Sequence, residues 1–183
     1  GLGGNDFVNA NDGNDVVCTG DGNDDINGGK GDDTIFAGEG NNSITGGDGN
    51  DKVITGSGND NIHTGSGMDF IDAGEGDNLV EGGDHRDIIL AGFGNDDISG
   101  GTGNDFINAS WGDNNVACGD GDDVVFTYNG TDTISCGSGD DNITSGDGND
   151  IIRAGDGNDL VIAGAGNNSV TAGSGRDIVY TFG

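Results

Sequence analysis

The sequence predicts an all-β solenoid of short parallel strands, and three observations carry that prediction. Cut every nine residues from Gly1, the chain falls into twenty consecutive units without insertion or deletion, and Thr181–Gly183 begin another. Position 8 of every unit is Val or Ile, from Val8, Val17 and Ile26 through to Val179. Position 4 is Gly in nineteen units, with His85 the exception, and position 2 is Gly in sixteen, broken by Leu2, Asn11, Ser110 and Tyr128. A fixed period of this kind marks a repeat architecture, in which each unit buries its apolar side only against neighbouring copies.

Each part of the unit has a local reason. Gly at positions 2 and 4 permits positive φ, so every unit opens with a tight turn. Position 6 is Asp sixteen times and Asn four times (Asn42, Asn78, Asn114, Asn168), and it closes the turn. Positions 7 to 9 carry the β-branched residue and read as a very short strand. Alternation along that strand puts positions 6, 8 and 1 on one side and positions 7 and 9 on the other. Position 1 is always Gly, Ala, Thr, Ser or Cys. The chain can meet this pattern everywhere at once only by coiling, with its strands stacked in parallel.

Composition alone points elsewhere. The 183 residues include 42 Gly and no Pro, and 34 acidic side chains against 5 Lys and Arg give a formal charge of −29. Only 30% of residues are hydrophobic and 5% aromatic, the profile of a disordered chain. The acidity argues against nucleic acid or an anionic membrane as partner and in favour of cations. No apolar run approaches the ~20 residues of a membrane span. Three Cys without metal-type spacing suggest neither a disulfide scaffold nor a zinc site. The chain starts at Gly1 without a secretion signal, and residues 1–183 are expected to be one uninterrupted roll taken from a longer protein.

Units such as GGKGDDTIF (28–36), GGDGNDKVI (46–54) and GGTGNDFIN (100–108) resemble the repeats-in-toxin (RTX) nonapeptide, G-G-x-G-x-D-x-U-x. The resemblance covers essentially the whole chain. It implies a right-handed parallel β-roll with two nonapeptides, 18 residues, per coil, hence about ten coils and two parallel sheets. It also implies calcium ions between the glycine turns of successive coils, held by carboxylates and backbone carbonyls, up to about eighteen ions in all. The metal ligands it assigns are Asp6, Asp15, Asp24, Asp33, Asp51, Asp60, Asp69, Asp87, Asp96, Asp105, Asp123, Asp132, Asp141, Asp150, Asp159 and Asp177, with Asn42, Asn78, Asn114 and Asn168 as weaker ones. The chemistry agrees, because calcium seeks about six to eight hard oxygen ligands. The family further implies bacterial export through a type I system, with folding outside the cell where calcium is plentiful.

Two units per coil split the roll into two edges. Even-numbered units carry Asp at position 6 ten times out of ten, whereas all four Asn fall on odd units. The even edge is therefore expected to bind calcium more tightly and the odd edge more weakly, since affinity follows ligand charge. The outward positions divide too. Even units present Phe36, Ile54, Phe70, Ile88, Leu90, Phe106, Phe126, Leu160, Ile162 and Tyr180 among other apolar side chains, while odd units present mostly Asn, Ser, Thr and charge. The even face is expected to be covered by another domain or another copy. Cys118 and Cys136, inward on adjacent coils, are expected to be free thiols filling small apolar spaces. His85, at a glycine position, suggests local repacking of one turn, and His63 a surface residue. Phe93 and Trp111, eighteen residues apart, should stack outside the turns with Tyr128 nearby.

No nucleophile–base pair, phosphate loop or cofactor motif is present, which points to a non-catalytic protein. The expected role is a calcium-dependent structural segment of an extracellular protein of the adhesin, surface-layer, matrix or filament type. The alternative is a calcium-binding folding and secretion module of a toxin or secreted enzyme. Ice binding is disfavoured, because position 3 is acidic nine times where a regular Thr/Asn array would be needed.

Overall fold

A computed structural model describes residues 3–182. It contains twenty strands, from Phe7–Asn9 to Ile178–Phe182, and no helix among the described residues. The strands form two ten-stranded sheets, one holding every odd-unit strand and the other every even-unit strand, each in strict sequence order. All pairings are parallel. Val8 lies beside Ile26 in the odd sheet and Val17 beside Ile35 in the even sheet, an offset of eighteen residues. The chain is thus a β-solenoid of about ten coils with two nonapeptides per coil, as the resemblance implies.

The core is a single column. Ile35, Val53, Ile62, Ile71, Val80 and Ile89 have no exposed surface, and small position-1 residues such as Ala37, Ala73 and Ala91 fill the corners beside them. One β-branched side chain per strand suffices because the two sheets face each other across a space only two side chains deep. Position 6 is also inward, and Asp33, Asp87, Asp123 and Asp132 are as buried as the aliphatic residues. Positions 6, 8 and 1 therefore share the interior, as the alternation predicts. No helix of the described residues is long and apolar enough to cross a membrane.

The structure corrects one expectation and adds detail to two others. Cys118 and Cys136 are joined in a disulfide rather than held as free thiols. Stacking at an offset of eighteen puts both at the same position of neighbouring coils, with Cα atoms 4.8 Å apart, within bridging range. The apolar residues of the even face are interrupted by polar ones. The same offset places Asp72 beside Ile54 and Leu90, Asn108 beside Leu90 and Phe126, and Asn142 beside Val124 and Leu160. The longest unbroken run, Phe70–Ile88–Phe106–Val124, covers four coils, and the Phe106 ring also meets Phe126 outside the run, with centroids 5.8 Å apart. His85 departs locally from its neighbours: the Gly67 and Gly103 amides donate to Asp84 and Asp120 of the next coil, whereas no such bond runs from the His85 amide to Thr102. His85 adopts φ of +80° itself, and its carbonyl oxygen faces Gly103 as the glycine carbonyls face their own neighbours.

Candidate metal centre

The site is the turn of each unit, positions 1 to 6, stacked on the equivalent turn one coil away. Close stacking explains the glycines. A Cβ at Gly31, Gly49 or Gly67 would overlap the position-4 carbonyl oxygen of the preceding coil, and all three residues have positive φ. The position-4 amide donates to the position-3 carbonyl of the next coil, as from Gly31 to Asp48 (2.7 Å) and from Gly49 to Ser66 (2.8 Å). None of these inter-coil backbone bonds ends on a position-4 carbonyl.

The position-6 carboxylates use their two oxygens differently. Oδ1 accepts the backbone amide of the residue one coil earlier: Asp15 donates to Asp33, Asp33 to Asp51 and Asp69 to Asp87, each at 2.8 Å. Oδ2 is buried without any hydrogen-bond partner in fourteen of these residues, from Asp6 and Asp15 to Asp141 and Asp159. Asp150 differs, because its Oδ2 accepts the Ser145 hydroxyl at 2.6 Å. A buried carboxylate oxygen with no partner is costly to maintain. Along the even edge the pattern repeats coil after coil, with like charges stacked upon one another. Burial pushes Asp87 and Asp123 up to about 7 and Asp51 and Asp141 up to about 6, and the carboxylates of adjacent coils push in the same direction. Burial raises Asp96 to about 7 as well.

The open oxygen faces further oxygens. A Cβ at Gly46 would lie 2.5 Å from Asp51 Oδ2 and 2.9 Å from the Thr64 carbonyl oxygen, and at Gly82 it would lie 2.6 Å from Asp87 Oδ2 and 2.8 Å from the Gly100 carbonyl. These small cradles combine a carboxylate and a backbone carbonyl, both hard donors suited to calcium. Among the described residues no three carboxylate, imidazole or thiol groups converge on one point, so a cation held here would draw most of its ligands from the backbone.

The RTX calcium-binding nonapeptide repeat (4 copies) matches the chain over residues 1–26, 27–62, 63–98, 90–125, 109–143, 126–161 and 153–181. The chain belongs to the RTX repeat family. No curated protein matches it. RTX repeats bind calcium, and the buried Asp rows of this RTX roll fit calcium-binding turns.

Position 5 is a functional position that the period alone did not reveal. Its side-chain oxygen accepts the amide of the residue one coil later, the reverse of position 6. The Asn50 amide donates to Asp32 Oδ1 (2.8 Å), Asn41 to Asn23 Oδ1 (2.8 Å) and Asp122 to Asn104 Oδ1 (3.1 Å). Two ladders of opposite sense thus clamp each turn to both neighbours. The signal was present, since position 5 is Asn or Asp in sixteen units. Met68 and Arg86 interrupt the even-edge ladder, because neither side chain offers an oxygen to the next coil.

The remaining singled-out residues lie on the outside of the RTX roll. Phe93 and Trp111 pair with ring centroids 4.9 Å apart, and no ring contact joins Tyr128 to them among the described residues. His63 Nδ1 lies 3.1 Å from a Glu81 carboxylate oxygen on the next coil, at the exposed odd face.

Proposed function

We propose that this RTX roll is a calcium-gated structural segment of a secreted bacterial protein, of the adhesin, surface-layer, matrix or filament type. The observation that carries the reading is the set of fourteen buried, unpartnered carboxylate oxygens, nine on the even edge and five on the odd. Without a cation each is a desolvated charge, and along the even edge it is stacked on its like, which opposes the coil. With calcium the same oxygens become ligands, and binding free energy becomes folding free energy. A chain of formal charge −29 would stay open where calcium is scarce and coil where it is abundant. That behaviour suits export in an extended state followed by folding outside the cell. The regular outer surface, with two ten-stranded sheets, supports a spacer or scaffold role. Calcium ions are the partner it requires, and the apolar run Phe70–Ile88–Phe106–Val124 is the surface offered to a neighbouring domain or copy.

The test is far-UV circular dichroism during calcium titration and chelation. A β signal that appears with calcium and collapses in chelator is expected. A β signal that persists undiminished in chelator at neutral pH overturns the reading.

A further inference from the structure

The four Asn at position 6 take the same place as the Asp residues but present the opposite chemistry. Each Asn Oδ1 accepts the amide one coil earlier, as an Asp Oδ1 does: Asp24 donates to Asn42 (3.1 Å), Asp60 to Asn78 (3.0 Å), Asp96 to Asn114 (3.0 Å) and Asp150 to Asn168 (2.9 Å). With the oxygen committed, the group left at the Oδ2 place is an NH2 donor. It points at carbonyls of its own turn. Asn42 Nδ2 donates to Gly40 O (3.0 Å), Asn78 to Gly76 O (3.0 Å), Asn114 to Gly112 O (3.1 Å) and Asn168 to Gly164 O (3.0 Å). The first three are position-4 carbonyls, the oxygens that the inter-coil backbone bonds leave over. Asn42 Nδ2 also donates to Asp60 Oδ1 at 3.0 Å, joining amide to carboxylate across the coils.

We propose that these amides replace the cation, so that the turns of Asn42, Asn78, Asn114 and Asn168 are closed internally and take no calcium at position 6. An N–H donor supplies the positive end that turn carbonyls need, and it repels an ion rather than ligating it. The order along the odd edge strengthens the case. From Asp24 to Asp132 it alternates Asp24, Asn42, Asp60, Asn78, Asp96, Asn114, Asp132, so no two carboxylates stack in that stretch. The Ser145 hydroxyl caps Asp150 Oδ2 by the same principle. The inference rests on the calcium reading and deepens it: the ion count is set by open carboxylate oxygens, fourteen, rather than by the number of gaps between turns.

Equilibrium dialysis with calcium, on the intact chain and on variants, reads this directly. About fourteen ions are expected for the native chain, three more for the triple variant Asn42→Asp, Asn78→Asp, Asn114→Asp, and one fewer for Asp60→Asn. Circular dichroism in saturating calcium checks that each variant is folded, and the Asp60→Asn count stands on its own if the triple variant does not fold. A native count near eighteen, or a count the folded triple variant leaves unchanged, overturns the amide replacement while leaving calcium-dependent folding intact. No calcium binding at all overturns both.

Discussion

The two edges of the roll share one backbone plan and differ in how they handle charge. On the even edge every position 6 is Asp, and nine of these ten residues hold a buried oxygen with no partner. On the odd edge Asp and amide alternate through the middle, and the amides close their own turns. The backbone follows the same division. Odd-sheet strands such as Ser43–Asp48 and Asp97–Thr102 run without register shift into the even turns. Even-sheet strands meet register shifts where they enter the odd turns, between Phe36 and Gly38 and between Asn108 and Ser110. The comparison teaches that two edges of one solenoid can carry unequal numbers of bare carboxylate oxygens, nine against five, with amide hydrogen bonds filling the alternate places on the second. A donor in place of a cation costs no external ion, but it gives up the sensitivity to calcium that a bare carboxylate supplies.

The largest expected effect comes from breaking the even edge. Asp87→Ala with Asp105→Ala should raise the calcium concentration at the folding midpoint tenfold or more, by deleting ligands from adjacent sites. Asn78→Ala with Asn114→Ala on the odd edge should leave that midpoint within about threefold and lower stability by about 1 kcal/mol per lost hydrogen bond. Calcium titrations followed by circular dichroism compare the pairs, and equal midpoint shifts would erase the distinction between edges.

Acidity sharpens the same comparison. The raised values, about 6 for Asp51 and Asp141 and about 7 for Asp87, Asp96 and Asp123, mean that the folded chain holds these protons more tightly than the unfolded chain. Their contribution to stability is therefore fully present below the ordinary carboxylate value near 4 and is lost as pH rises through about 7. In chelator the β signal should grow as pH falls from about 7 towards 4, while calcium affinity weakens over the same window because protons compete for the ligands. Four of these five residues lie on the even edge, so the gain belongs mainly there. A chelated chain that loses β signal on mild acidification contradicts the burial of these carboxylates.

Smaller effects probe single turns. His85→Gly should stabilise the calcium-loaded roll by about 1 kcal/mol, since φ of +80° costs a side chain and not glycine. Arg86→Asn should add about 0.5–1.5 kcal/mol by giving the Asn104 amide the acceptor the position-5 ladder lacks there. Thermal unfolding in excess calcium measures both, and destabilisation by either substitution would show that the native residue makes contacts beyond its turn.

Much of this was legible before folding. The nine-residue period locates the repeated Val or Ile of every unit and every inward Asp, because strand alternation is a local rule that each unit obeys alone, while the number of coils came from the family resemblance. Residue type likewise marks Asp15, Asp33 and their successors as hard-oxygen ligands. The disulfide between Cys118 and Cys136, the broken apolar run around Asp72 and Asn108, and the missing ladder bond at His85 depended on what lies one coil away. So did the use of each polar atom. That Asp33 spends one oxygen on the Asp15 amide and keeps the other bare, and that Asn42 turns its NH2 onto Gly40, is decided by eighteen-residue stacking. Sequence by itself determined which side chains face inward, since that needs only the pleat of one strand. Tertiary structure decided which inward oxygens remain open to a cation, since that needs the backbone amides of the coil next door.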